Sequence, residues 1–193
     1  MTARASNPVF QDQAAFRAVM DAFAAPGALK TLSDLAAPAP LAPATGAIVR
    51  SLADFETPIW LDPALSVPAV TEWIRFQTGA PIVTEKQAAR LALIGDAANC
   101  PDFADFSTGT ADYPDRSTTV LLQVKSLLTG DAMTLRGPGI EDTRCLRADP
   151  LPSGFLRIWA DNREGFPCGI DLLLIAGSDI AALPRSVCIA EGC

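Results

Sequence analysis

Apolar side chains recur at helical spacing in four segments of the chain. In the first segment, Phe16, Val19, Met20 and Phe23 fall at i, i+3, i+4 and i+7, so they form one apolar stripe. A proline–glycine pair ends this segment, as is typical of a helix stop. The three other helical segments are TGAIVRSLADF, PAVTEWIRFQTG and PSGFLRIWADNREG. We therefore expect four helices.

Short apolar runs between these segments have the composition of β-strands. TPIWL is aromatic and β-branched, and it accommodates a proline near its start. Two of the later runs are nearly all apolar, as expected for strands covered on both faces. The later runs are RLALIGD, STTVLLQVKSL, AMTLRG, TRCLRA and GIDLLLIAG. The Ala- and Pro-rich stretch from Ala36 to Thr45 resists regular structure and predicts a surface connection.

The alternation of helices and strands predicts the fold class. A chain of 193 residues has the size of one domain, so we expect a single domain over residues 1–193. Helices interspersed among buried strands favour an α/β fold, as a mixed-sheet sandwich with helices on both faces. The order of the strands does not follow from one sequence.

Charge and residue counts exclude several classes of function. The net charge of −7 disfavours binding to nucleic acid. The chain has no histidine, so a Ser-His-Asp triad, a Cys-His pair and a His-liganded zinc are all impossible. A general acid or base would have to be a shifted carboxylate, a lysine, a cysteine or Tyr113. The chain is 49% hydrophobic and 19% charged, which favours self-association or complex formation.

The cysteines and the hydropathy indicate the cellular compartment. The cysteines lie at positions 100, 145, 168, 188 and 193, and no C-x-x-C pair is present. This spacing indicates neither a disulfide framework nor a standard zinc or iron–sulfur site, so we expect reduced thiols in a cytoplasmic protein. The first residues contain no apolar signal segment, and Asp171 interrupts the richest apolar run, so neither secretion nor a membrane span is expected.

One candidate site is a glycine-rich loop after a predicted strand. LRGPGIEDT places Arg136, Gly137 and Gly139 close together. Glycine permits close backbone approach, and free N–H groups beside an arginine could bind a phosphate or a carboxylate. The commoner interpretation is a tight turn that uses glycine for positive φ angles. Both interpretations stay open at this point.

A second candidate is a polar loop that leads directly into an apolar strand. GTADYPDRSTT contains Thr110, Tyr113, Arg116 and Ser117. Hydroxyl donors and an arginine suit an oxyanion, and loops at strand ends are common ligand sites. The alternative is a loop of turns with a hydrogen-bonded strand start.

Two carboxylates and one arginine complete the set of candidates. Asp54 is expected to build an Asx-type turn with the segment up to Thr57, or to act in a cleft. Asp171 lies in an apolar strand, where an ionised carboxylate is costly unless it is paired. Its candidate partners are Arg157, Arg163 and Arg185. Arg185 is otherwise an exposed side chain, or a group that grips a carboxylate or phosphate across a subunit boundary.

Six segments follow one another along the chain in a characteristic order: FRAVMDAFAAPG, LADFETPIWL, GTADYPDRSTTV, LRGPGI, GFPCGIDLLLI and ALPRS. Together they resemble the PhnH family, a subunit of the bacterial carbon–phosphorus lyase core complex, and the resemblance spans roughly residues 10–187. Three positions depart from the family pattern. Ser117-Thr118-Thr119 stands for Ser-Ala-Thr, Cys168 for a basic residue and Ser186 for threonine. The change at Cys168 puts any anion-binding role there in doubt.

The resemblance implies a fold and a set of partners. The fold would be similar to the large domain of pyridoxal-phosphate-dependent aminotransferases but without their cofactor site, so no cofactor is expected. The chain would form homodimers alone. With partner subunits of the G, I and J types, the family attaches an alkylphosphonate to the ribose of ATP and releases adenine.

Three functional hypotheses follow. The main one is an accessory, non-catalytic subunit for phosphonate ribosylation. The alternative is that the chain itself binds ATP or a phosphonate in a cleft and contributes Arg116, Arg136 or Arg185 to the transfer step. The third is a free-standing pyridoxal enzyme that would use Lys125 to form an imine.

Overall fold

The computed structural model describes residues 8–32 and 36–192. All four predicted helices are confirmed: α1 (Pro8–Ala24), α2 (Pro43–Leu52), α3 (Pro68–Thr78) and α4 (Phe155–Glu164). Two of them end as their sequences indicate: Pro26 and Gly27 follow α1, and α3 is followed by Gly79, whose φ of 71° is left-handed.

Ten strands are present in the described part of the chain. They are β1 (Lys30–Thr31), β2 (Ile59–Leu61), β3 (Ile82–Val83), β4 (Leu91–Ile94), β5 (Thr119–Gln123), β6 (Ala132–Arg136), β7 (Arg144–Arg147), β8 (Asp171–Ala176), β9 (Asp179–Leu183) and β10 (Cys188–Glu191). Each of the six predicted strand runs contains one of them. The sequence patterns missed β1, β3, β9 and β10.

The strands form two sheets. The larger has seven strands in the order β1-β9-β8-β5-β4-β2-β3, and the smaller has three in the order β10-β6-β7. In the large sheet, β3, β2, β4, β5 and β8 are parallel, whereas β9 runs antiparallel to β8 and β1 antiparallel to β9. The expected α/β fold with a mixed sheet is therefore confirmed.

The two faces of the large sheet are covered differently. Helices α1, α2 and α3 pack on one face, around residues such as Ile48, Leu93 and Leu173. The other face packs against the small sheet and α4, which contribute Leu135 and Trp159. The expectation of helices on both faces is thus correct only in part, because AMTLRG and TRCLRA form a separate small sheet that covers much of the second face.

The stripe predicted for α1 forms its buried face only in part. Val19 is buried and Phe23 packs against the core, but Phe16 and Met20 are 44% and 52% exposed. The rest of the buried side consists of small residues, namely Ala15 and Ala22. Small side chains let α1 approach α2 closely, and helical periodicity shows which residues share a side but not which side faces the core.

The segment from Ala36 to Thr45 is also more ordered than expected. Its last three residues begin α2, with Pro43 at the first turn. Leu41 and Ala44 are buried, and the Ala44 N–H donates to the Gly177 carbonyl oxygen at 3.0 Å. The prediction of a simple surface connection is therefore wrong for this half of the segment.

The expectation of reduced cysteines is wrong at one position. Cys145, on β7, is disulfide-bonded, whereas Cys100, Cys168 and Cys188 are free thiols. Cys193 lies outside the described residues. Cysteines that are far apart in sequence can be brought together by folding, and their spacing in the sequence does not reveal it.

Within residues 8–32 and 36–192, no helix has the length and apolar character required to cross a membrane.

Candidate functional site

An ion pair between Asp171 and Arg185 lies at the amino end of β8. The Arg185 Nε donates to Asp171 Oδ1 at 3.1 Å, and its Nη2 donates to Oδ2. The Arg185 backbone N–H donates to the same Oδ1 at 2.9 Å. The two side chains are only 13% and 23% exposed. Of the three arginines considered as partners for Asp171, the structure selects Arg185.

The remaining donors of Arg185 are also used within the chain. Nη1 donates to the Pro114 carbonyl oxygen at 2.9 Å and, more weakly, to that of Pro167 at 3.4 Å, and Nη2 donates to Ser117 Oγ. A guanidinium group has five N–H donors, and this set of contacts occupies all five. Arg185 is therefore neither exposed nor available to a ligand in this conformation.

The loop that precedes β5 is held by its own residues and by Arg185. The guanidinium of Arg116 lies 4.0 Å from the centre of the Tyr113 ring. The backbones of Thr110 and Tyr113 bond each other at 3.1 and 3.2 Å, and Ser107 Oγ donates to the Arg116 carbonyl oxygen at 3.1 Å. The structure thus brings Thr110, Arg116, Ser117, Asp171 and Arg185 together at the amino ends of β5 and β8.

Asp54 and Thr57 form the expected turn ahead of β2. Asp54 Oδ1 accepts from the Glu56 N–H at 2.9 Å and from Thr57 Oγ1 at 2.8 Å. Both partners of this oxygen lie within three residues of Asp54 in the chain, and Asp54 is exposed. This is an Asx-type turn, which is what the more favoured interpretation of the sequence predicts.

The glycine-rich loop after β6 is a tight turn in this structure. Gly137 and Gly139 have φ angles of 151° and 81°, and the Ile140 N–H donates to the Gly137 carbonyl oxygen at 3.1 Å. A Cβ atom on Gly139 would lie 2.3 Å from the Ala24 carbonyl oxygen. Arg136 is exposed, and within the described chain it has no ion-pair partner.

Sequence reasoning missed a buried carboxylate at the opposite end of the parallel strands, where β2 ends. Asp62 directly follows β2 and is 3% exposed, and its oxygens accept three backbone N–H bonds. Nearby, burial raises the pKa of the Cys100 thiol to about 12, with further contributions from the charges of Asp62 and Asp102. The signal was the placement of an aspartate at the end of an entirely buried strand, in WLDP.

A cleft lies between the small sheet and the start of α4. Its volume is about 930 Å³, and its wall includes Asp131, Asp149, Arg157 and Glu191. A second cavity of about 150 Å³ adjoins Cys168. None of the ten candidate residues lines either cavity. Among the residues that the structure describes, no group of three or more Cys, Asp or Glu side chains is placed to hold a metal ion.

Comparisons with known proteins give the family. The family model described as "Bacterial phosphonate metabolism protein (PhnH)" matches residues 3–190. The chain is 45% identical, over 94% of its length and 91% of the relative, to the alpha-D-ribose 1-methylphosphonate 5-triphosphate synthase subunit PhnH of Rhizobium meliloti (strain 1021). It is also 31% identical, over 40% of each chain, to the putative C-P lyase subunit protein HtxG of Stutzerimonas stutzeri. The chain therefore belongs to the PhnH family of bacterial phosphonate metabolism proteins.

Proposed function

We propose that this chain is an accessory subunit of a bacterial carbon–phosphorus lyase complex. In that role it supports the formation of a ribose 1-alkylphosphonate 5-triphosphate from ATP and an alkylphosphonate. The observation that carries the proposal is the 45% identity, over nearly the full length of both chains, to a subunit of the synthase for the methylphosphonate compound. The weaker match to a putative C-P lyase subunit supports the same pathway.

The chemistry of the chain supports an accessory role. Histidine, the side chain that most readily exchanges protons near neutral pH, does not occur in the sequence. The best-placed arginine, Arg185, uses its donors on Asp171, Ser117 and two backbone carbonyl groups. We therefore assign the chain a role in assembly and shape, with proton transfer supplied by other subunits.

The partners of this proposal are the G, I and J types of subunit, and a second copy of the chain when it is isolated. Exposed apolar side chains support such contacts, because each lies on the surface with most of its area open to solvent. These side chains are Val9, Phe10, Phe55, Phe76 and Leu128. The proposal further takes residues 1–193 as one cytoplasmic domain that is similar in fold to the large domain of pyridoxal-phosphate-dependent aminotransferases and binds no cofactor.

Co-expression tests the accessory role. The chain is produced with and without the G, I and J types of subunit, and the products are separated by size exclusion. Each fraction is then given ATP and methylphosphonate, and adenine release is measured. We expect release only from fractions that contain the partners, and less of it when this chain is left out. A chain that never joins its partners, or one that consumes ATP alone, would contradict the proposal.

The second candidate function is direct participation of the chain in the ribosyl transfer. Arg136 supports it, because this side chain is exposed and has no ion-pair partner within the described residues. In this case Arg136→Ala would abolish adenine release from the assembled complex without disturbing assembly. Arg163→Ala, which changes another exposed arginine that lines neither cavity, is the matched control. In the accessory role, Arg136→Ala leaves turnover per assembled complex unchanged.

A further inference from the structure

The order of the parallel strands places a topological switch point between β2 and β4. The connection that leaves β2 contains α3, which packs on the face covered by α1 and α2. The connection that leaves β4 contains Phe103 and Phe106, which pack on the opposite face. In open α/β sheets, ligands bind in the crevice at the carboxyl ends of the strands on either side of such a point.

In this chain the crevice is occupied by its own carboxylate. Asp62 Oδ2 accepts from the backbone N–H groups of Gly95 and Asp96 at 2.8 and 2.9 Å, and Oδ1 accepts from that of Leu65 at 2.9 Å. The Gly95 and Asp96 N–H groups directly follow β4, where free donors would bind an anion. Leu65 is fully buried, and a Cβ atom on Gly95 would lie 2.9 Å from its Cγ, so little space remains.

The carboxyl ends of the next two strands, β5 and β8, are also covered by residues of the chain itself. Gln123, the last residue of β5, accepts from the Ala42 N–H at 2.7 Å and from Thr45 Oγ1 at 2.9 Å through Oε1. Its Nε2 donates to the Pro40 carbonyl oxygen at 3.2 Å. At the end of β8, the Gly177 carbonyl oxygen accepts from the Ala44 N–H. Segment 40–45 therefore covers the carboxyl ends of β5 and β8.

We propose that Asp62 is a built-in anion that closes the switch-point crevice, and that removing its carboxylate creates a binding site for a small carboxylate such as formate. The three backbone N–H groups already point at the position of one carboxylate, so an external carboxylate of the same size satisfies them equally. The intact chain therefore does not bind phosphate-bearing ligands at the carboxyl ends of β2 and β4. This inference goes beyond the proposed function, since it holds whether or not the chain assembles with other subunits.

Formate rescue of Asp62→Ala tests the proposal. The substitution removes a group of the size of formate and leaves the part-buried N–H groups of Gly95 and Asp96 without their acceptor, whereas the Leu65 N–H keeps the Asp62 backbone carbonyl oxygen at 3.1 Å. We therefore expect the Tm of the full-length chain to fall by roughly 10 °C. Sodium formate should then raise the Tm of Asp62→Ala by several degrees more than that of the wild type. The same concentration of sodium chloride controls for ionic strength.

Two variants serve as matched controls. Asp54→Ala removes an aspartate with local N–H and hydroxyl partners on the exposed amino edge, and formate should not raise its Tm beyond the wild-type response. Asp62→Asn keeps the crevice filled but places an NH₂ group against a backbone donor, so it should be destabilised and not respond to formate. An equal formate response in wild type, Asp54→Ala and Asp62→Ala would overturn the proposal.

A second measurement tests whether Asp62 closes the crevice even if Asp62→Ala does not fold. In the 15N-labelled wild-type chain, the amide resonances of Leu65, Gly95 and Asp96 should not move when inorganic phosphate or ATP is added. A saturable shift confined to these amides would show that the crevice takes an external anion, and the proposal would then be wrong. A fold obtained for Asp62→Ala only when formate is present would support it.

Discussion

The ion pair between Arg185 and Asp171 fixes more of the structure than the two residues themselves. The ion pair is mostly buried, and the same guanidinium holds the loop before β5 through Ser117 and Pro114. A partly buried pair of this kind is costly to break from one side, because the remaining charge is left without its partner. The local sequence around Asp171 indicated that a partner was needed, but three arginines were equally plausible.

Arg185→Ala is expected to lower the free energy of unfolding by about 2–4 kcal/mol. The loss arises because Asp171 stays partly buried and unpaired and the loop contacts disappear. Urea denaturation measures the change, with Arg157→Ala as a matched exposed control that should stay within about 0.5 kcal/mol of the wild type. Equal stabilities for the two variants would show that the pair is not structural.

Cys100 is expected to react slowly with alkylating reagents because its thiol stays protonated. Burial and the charges of Asp62 and Asp102 raise its pKa from 9.0 to about 12. Its alkylation rate, followed by mass spectrometry, should still rise about tenfold per pH unit at pH 10, since the thiolate is the nucleophile. In the urea-unfolded chain the rate should level off near the ordinary value, and the same plateau in the folded chain would contradict the prediction.

The same shift affects stability at high pH. The folded chain favours the protonated thiol more than the unfolded chain does, so the contribution is fully present below pH 9 and is lost as the pH rises towards about 12.

At the scale of elements, turns and helix faces depend on which neighbours they meet. Gly139 and Gly177 both have left-handed φ angles, of 81° and 62°. A Cβ atom on Gly177 meets nothing within 4 Å, whereas one on Gly139 would collide with the Ala24 carbonyl oxygen at the end of α1. The sequence predicted a glycine with positive φ in the turn that contains Gly139, but it predicted neither the turn at Gly177 nor the contact with α1.

Replacing each of these two glycines by alanine separates backbone strain from collision. Gly177→Ala should cost about 1 kcal/mol for the left-handed conformation alone. Gly139→Ala should cost at least about 2 kcal/mol more, because the turn after β6 must move away from α1. Thermal unfolding of the two variants measures the difference. Similar Tm values would mean that the turn shifts freely.

At the scale of the whole molecule, the large sheet has helices on one face, whereas the small sheet and α4 pack on the other. The parallel strands in the middle of the large sheet are buried on both faces, and β4 and β8 are fully apolar over their central residues. Asp62, Gln123 and segment 40–45 close the carboxyl ends of the parallel strands. The amino ends of β5 and β8 carry Arg185 with its partners Asp171 and Ser117.

Amide hydrogen exchange should reflect this arrangement. We expect the slowest exchange in Leu91–Ile94, Val120–Leu122 and Leu172–Ile175, because these amides are buried and each strand has a neighbour on both sides. The two-residue edge strands β1 and β3 should exchange much faster. Protection at these edges equal to that of the central strands, measured on the isolated chain, would require a partner that covers them.

The sequence by itself determined the helices, six of the ten strands found in residues 8–32 and 36–192, the α/β class and the family resemblance. These features follow from local periodicity, composition and turn residues, which act over a few positions. It also indicated correctly that Asp171 needs a cation and that Asp54 builds a turn. Only the tertiary structure decided that Arg185 is that cation, that Asp62 fills the crevice between β2 and β4, and that Phe16 and Met20 of the α1 stripe are exposed. Each of these outcomes depends on contacts between residues that are distant in the chain, and the strand order that brings them together is set by packing of the whole sheet.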